Sequence, residues 1–152
     1  MPNDVTIRTA TSDDVELLAQ FNAAMAEETE DKTLALATVR AGVRAVFEDP
    51  ARGFYLVAVR EEEVVGSLMV TTEWSDWRNG RFWWIQSVYV RPTARRTGVY
   101  TALHHAVRER AEARDKVCGL RLYVERGNEA ARETYEALGM TEMSYRMYET
   151  ML

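Results

Sequence analysis

Three arginines, a proline and a glycine stand close together in the run VYVRPTARRTGVYTALHHAVRERA, Val88 to Ala111, and no acid interrupts its central RPTARRTG. A helix N-terminus presents N–H groups with no intrahelical acceptor, together with a partial positive charge. A glycine at its mouth lets the backbone curl around an oxyanion with no Cβ in the way. Gly98 opening a helix, with Arg95 and Arg96 adding charge, has the chemistry of a pyrophosphate seat. The lysine and hydroxyl that end a P-loop are missing, as is the three-glycine spacing of the dinucleotide fingerprint. The alternative is an exposed basic turn between a strand and a helix.

The elements that must position this loop follow from pattern. VTIRTAT alternates and reads as a first strand; SDDVELLAQFNAAMAEE has a polar cap and early acids and reads as a helix. Thr33 caps a second helix that ends near Phe47. FYLVAV and VVGSLMVTTEW are strands joined by the charged turn REEE, SDWRNG is a turn, and RFWWIQSVYV is a long strand that Pro92 stops. From Gly98, apolar residues recur at helical spacing through Ala111, with His104 and His105 on other sides of that helix. GLRLYV is another strand. NEAARETYEALG is a helix with Asn128 as cap and Gly139 as stop, and TEMSYRMYETML alternates as one or two closing strands. The order predicts an α/β (α+β) fold in one domain, 1–152, with a mixed sheet covered by helices.

Composition narrows the partners. Of the 152 residues 47% are hydrophobic and 28% charged, with net charge −5, values of an ordinary globular chain. Residues 1–50 hold ten acids against four bases, whereas 91–121 hold eight bases against three acids. An acidic chain with a local basic cluster fits a small polyanion rather than nucleic acid. No apolar run approaches the roughly 20 residues of a membrane span. The start lacks a leader pattern. The lone Cys118 excludes an internal disulfide and has no metal-ligand spacing around it, so a small buried residue in a reducing cytoplasm is expected.

The run from Val88 closely resembles the acetyl-coenzyme A motif of the GNAT acetyltransferase superfamily, an apolar strand, a proline, then Arg/Gln-x-x-Gly-x-Gly/Ala opening a helix. Arg95 and Gly98 occupy its arginine and first glycine. Downstream, VERGNEAARETYEALGM is similar to the family's second motif, with Asn128, Tyr135 and Gly139 on its asparagine, tyrosine and glycine. Two positions depart from the pattern. Tyr100 stands where a small residue is usual, pointing away from the buried helix face, and Met140 replaces a common phenylalanine.

The resemblance implies a mostly antiparallel sheet whose strand before the phosphate loop splays from a parallel neighbour, the gap admitting the pantetheine arm. Val88 and Val90 would act through peptide groups, with Tyr89 between them also on the cofactor. Arg95, Arg96, Thr97, Gly98, Val99 and Tyr100 would hold the diphosphate, and Asn128 would serve as cap and cofactor contact. Tyr135 would protonate the departing thiolate, a thiol lying near 8.5 and a phenol near 10; packing alone is the other account of its ring. The implied reaction moves acetyl from acetyl-coenzyme A to a primary amine by direct attack in a ternary complex, with no metal.

An alkyl ammonium near 10.4 must lose a proton before attacking. Glu73 and Asp76, on the loop leading into the central strand, are the candidate bases, and Gln86 can orient water or substrate. Glu28, Glu30, Glu73, Trp74, Trp77, Trp84 and Gln86 form a candidate rim for a small cationic acceptor. Tryptophans in the core or on a dimer face are the alternative, and family members often pair as homodimers. Two rivals stand beside the enzyme: a non-catalytic acyl-coenzyme A sensor on the same scaffold, and an interaction domain whose basic turn is incidental.

Overall fold

The computed structural model describes residues 4–152, which divide into two compact units, one running to Leu122 and the other Tyr123–Leu152. In the first, β1 (Thr6–Thr9), β2 (Phe54–Arg60), β3 (Glu63–Ser75), β4 (Gly80–Val90) and β5 (Val117–Arg121) form one sheet in that order. The first three pairings are antiparallel and β4 with β5 is parallel. Three helices accompany it: α1 (Val15–Glu30), α2 (Leu36–Glu48) and α3 (Val99–Glu112). The fold is the mixed α/β sheet that the element order predicts.

Alternation along each strand divides the core between two sheet faces. Tyr55 and Val57 pack with Val15, Leu18, Ala19 and Val43 of α1 and α2. Leu56, Ala58, Leu68, Val70, Trp83 and Ile85 pack with Val99, Leu103, Ala106, Val107 and Ala111 of α3. The chain enters α1 through Asp14, whose carboxylate accepts from the Thr11 N–H at 2.8 Å and from a two-pronged Arg8 guanidinium at 2.9 and 3.0 Å. The Arg8 hydrogen bond holds the Asp14 carboxyl below its ordinary range. Glu61 and Glu62 both take positive φ, 51° and 66°, the backbone that a two-residue hairpin turn demands.

Several expectations change. Helix α2 begins at Leu36 behind Ala35, with no side-chain cap, so Thr33 precedes it. His104 is buried at 1% exposure and its Nδ1 lies 3.1 Å from the Tyr100 hydroxyl. Tyr100 therefore packs against the core rather than away from it, because one helical turn brings its ring back onto residue 104. Cys118 is exposed; a register shift in the β4–β5 pairing leaves it between Val117 and Gly119, with no β4 partner. Strand β5 ends at Arg121, before the expected Val124.

The second unit holds α4 (Glu129–Ala137). Asn128 caps it, Oδ1 accepting from the Ala131 N–H at 3.1 Å, and Gly139 leaves it at φ 91°. The expected closing strands are not formed: residues 141–152 carry no strand, and Met143, Tyr145, Met147, Tyr148 and Met151 are exposed. Alternation supplies a strand's pattern, but a strand also needs a hydrogen-bonding neighbour along its length.

Candidate functional site

Strand β4 changes character halfway along. Its parallel pairing with β5 runs from Arg81 opposite Val117 to Trp84 opposite Arg121 and then stops. From Ile85 to Val90 it pairs only with β3 among the described strands, so one edge of six residues carries no ladder. Within this stretch Ser67 faces Tyr89 and Met69 faces Gln86, placing Ser87 and Val88 opposite the single residue Leu68. That is a bulge, and Ser87 takes φ 51° to make it. The chain spends left-handed backbone on a serine where the sheet forks. Such a fork leaves main-chain donors and acceptors for an extended ligand.

Past Val90, Pro92–Ala94 make a single tight turn, Arg96 takes φ 63° and Gly98 takes φ 87° as the residue before α3. No side chain caps α3. Two left-handed residues separated by one turn the backbone sharply into the helix mouth, as the glycine in the sequence suggests. Thr97 is held from below: its hydroxyl donates to the Ala94 carbonyl and accepts from the Arg60 guanidinium at 3.2 Å. Val99 is a core residue, 2% exposed. A Cβ on Gly66 would come within 2.9 Å of Val99 Cγ1, so that β3 glycine lets α3 lie close.

Arg95 sits differently from the expectation of a bare phosphate ligand. Its Nε donates to the Val90 carbonyl at 2.9 Å and its Nη2 to Glu28 Oε2 at 2.8 Å, with the guanidinium 5.5 Å from the Tyr89 ring centroid. Tyr89 in turn meets Phe21 of α1 at 4.9 Å, and Arg91 lies 5.1 Å over the same Phe21 ring. The structure thus joins Glu28, expected on an acceptor rim, to Arg95, expected on the cofactor. Arg96 is exposed. Glu30, also expected on the rim, pairs with Lys32 at 3.6 Å.

At the other end of β4, Glu73 lies inside β3 opposite Phe82, not on a loop. Its Oε1 accepts from Trp84 Nε1 and from Arg121 Nη1, both at 2.9 Å. The Arg121 guanidinium stacks 3.5 Å from the Phe82 ring centroid, with Arg78 at 5.0 Å. Glu73 is therefore a brace between strands, since β3 keeps pairing as far as Ser75 and the turn is confined to Asp76–Asn79. Asp76 and Trp77 are exposed on that turn, Trp77 at 87%. Trp74 is half exposed under Arg81, and Trp83 belongs to the core. The four tryptophans do not form one rim. Gln86 is half-buried beside Trp84 on the sheet face that carries Met69.

Sequence reasoning missed Ser87 and Arg121. Serine gives no signal for a left-handed bulge. Arg121 did give one, a charge inside the apolar run GLRLYV. In the second unit, Tyr135 is half-buried on the helix side it shares with Ala131 and Leu138, and burial raises its phenol above the ordinary value. Among the described residues no group of histidine, cysteine and carboxylate side chains could hold a metal ion, and no helix is long and apolar enough to cross a membrane.

A forked sheet whose bulged strand runs through a left-handed turn into a helix is matched by the model of the acetyltransferase (GNAT) family over residues 16–140. The chain belongs to that family, and with it to the acyltransferase enzymes. It is similar to a possible acetyltransferase from Clostridium difficile 630, with 42% identity, 97% of each chain covered and a TM-score of 0.90. A ribosomal-protein-alanine N-acetyltransferase from Brucella melitensis biovar Abortus 2308 shares the fold at 20% identity, covering 97% of this chain and 99% of that one, TM-score 0.78. So does an aminoglycoside acetyltransferase, meta-AAC0020, from an uncultured soil metagenomic sample in complex with sisomicin, at 14% identity, 99% and 98% coverage and TM-score 0.79. No curated protein matches the chain.

Proposed function

We propose that the chain is one N-acetyltransferase domain, 1–152, that moves the acetyl group of acetyl-coenzyme A to a primary amine by direct attack in a ternary complex. A small-molecule amine is the favoured acceptor; the fold shared with an aminoglycoside acetyltransferase supports that preference. The observation that carries the reading is the bulged, half-unpaired β4 leading through Arg96 and Gly98 into an uncapped helix. Backbone donors at a helix mouth suit a diphosphate, and an unpaired strand edge suits an amide-bearing arm.

Bound there, acetyl-coenzyme A supplies an activated acyl group and a thiolate leaving group. Peptide N–H groups of Val88 and Val90, on either side of Tyr89, hold the arm and polarise the acyl carbonyl as negative charge grows on its oxygen. The backbone from Arg95 to Tyr100 seats the diphosphate, with Arg96 and Thr97 at its rim. Asn128, the cap of α4, is a further cofactor contact. Tyr135 donates a hydrogen bond to the leaving sulfur. A phenol near or above 10 gives its proton up to a free thiolate, near 8.5 when protonated, only uphill; burial steepens that gap, so its help falls while the C–S bond is breaking.

The acceptor's proton leaves through water, oriented by Gln86. Glu73, doubly engaged at Oε1, and Asp76, exposed on the turn, remain the carboxylates to test as base. Trp74, Trp77, Trp84, Glu28 and Glu30 are the acceptor-side candidates. A homodimer in a reducing cytoplasm completes the proposal.

Free-thiol release measured across polyamines, aminoglycosides, amino acids and peptide N-termini tests it. Turnover with at least one amine is expected. Coenzyme A binding by calorimetry without turnover on any of them would leave a sensor instead, and no binding heat at all would leave neither.

A further inference from the structure

Two charges that the reading above places on different ligands are paired with each other in the structure. Arg95 begins the diphosphate loop, and Glu28 sits in the last turn of α1, 67 residues earlier, yet Nη2 and Oε2 are 2.8 Å apart. Arg95 is anchored independently of this pair, by its Nε on the Val90 carbonyl at 2.9 Å and by the Tyr89 ring beneath it. The guanidinium can therefore keep its base fixed while its outer nitrogens change partner. Neither side chain is sealed off, at 44% and 39% exposure, so an incoming anion can reach the pair. A carboxylate at a helix C-terminus is disfavoured by the helix dipole, and Arg95 offsets that cost.

We propose that Glu28 is a built-in competitor for the diphosphate, a stand-in anion on Arg95 that cofactor binding displaces. The inference rests on the reading under Proposed function and adds to it a residue that sets cofactor affinity from outside the loop. Arginine stays charged throughout, so the exchange is one of acceptors, carboxylate oxygen for phosphate oxygen, with no proton moved. The displaced Glu28 carboxylate is freed on α1 as the thioester arrives. Linkage makes the effect reciprocal: whatever else draws on Glu28 tightens coenzyme A by the same factor.

Calorimetry with coenzyme A on four proteins tests this: wild type, Glu28→Gln, Arg95→Gln and the double variant, with thermal melts confirming that each is folded. Glu28→Gln is expected to bind coenzyme A about two- to five-fold tighter, the range of an exposed ion pair, and the gain should shrink at high salt. Arg95→Gln should bind more weakly, and adding Glu28→Gln to it should change nothing further, because Glu28 acts only through Arg95. Adenosine, which has no diphosphate, should bind wild type and Glu28→Gln alike. Unchanged or weaker coenzyme A binding in Glu28→Gln, or the same gain with Arg95 removed, overturns the inference while leaving the acetyltransferase reading intact. Absence of coenzyme A binding to wild type overturns that reading itself.

Discussion

Strand β4 holds its two ends by opposite means. Toward Val90 the working groups are peptide N–H and C=O, freed by the end of β5 and aimed by left-handed residues at Ser87, Arg96 and Gly98. Toward Gly80 they are side chains that satisfy one another: Trp84 and Arg121 share one oxygen of Glu73, and Arg121 covers Phe82. The first end has lost its β5 ladder and has its Val90 carbonyl held by Arg95; the second is a closed network. The difference teaches that side-chain substitutions at the hairpin end should be felt as lost bracing, whereas at the loop end changes in backbone freedom should weaken ligand binding.

The largest effect is expected outside both ends. Tyr135→Phe should lower kcat by roughly 10²-fold while coenzyme A affinity and melting temperature stay near wild type; wild-type turnover would remove the hydrogen bond from the mechanism. Next comes Gly98→Val, which sets a β-branched residue at φ 87°. Strain of about 1–3 kcal/mol at such a position should appear as about 5- to 150-fold weaker coenzyme A binding, read by calorimetry. If Gly98→Val bound normally, the backbone account of the loop would fail.

A smaller change is expected from Glu73→Gln. Loss of a part-exposed pair should cost about 0.2–1 kcal/mol in denaturant unfolding and leave coenzyme A binding unmoved. A large loss of turnover at saturating amine would instead make Glu73 the base and erase the contrast. The smallest effect concerns His104. Burial first, then the neighbouring His105 and Arg108 charges, hold its imidazole below the ordinary 6.5. The unfolded chain therefore takes up this proton first, so stability is full above about pH 6.5 and declines as pH falls below it. His104→Asn should flatten that slope in unfolding midpoints measured from pH 8 to 5.

Much of the frame was legible in the residues. Alternation marked β2, β3 and β4, Pro92 ended β4, and Gly98 followed by helical periodicity marked α3 and the loop before it. Long-range facts were not. Nothing local in EETEDK tells that Glu28 meets Arg95, and nothing in TEWSDW tells that Glu73 is consumed by Trp84 and Arg121, since both depend on which strands and helices become neighbours. The Ser87 bulge was silent because serine is not the residue that left-handed backbone favours. Helical spacing was read too coarsely at His104, which the Tyr100 hydroxyl makes compatible with burial. The segment TEMSYRMYETML shows the limit of pattern itself, for period two describes a strand without providing its partner.

One detail near the fork has practical weight. Strand β5 carries the sequence's single cysteine, and Cys118 is exposed. A maleimide dye or nitroxide would attach at one defined place, three residues before β5 ends, without engineering. Fluorescence or electron resonance from that spot would report ligand entry in real time on the unaltered polypeptide.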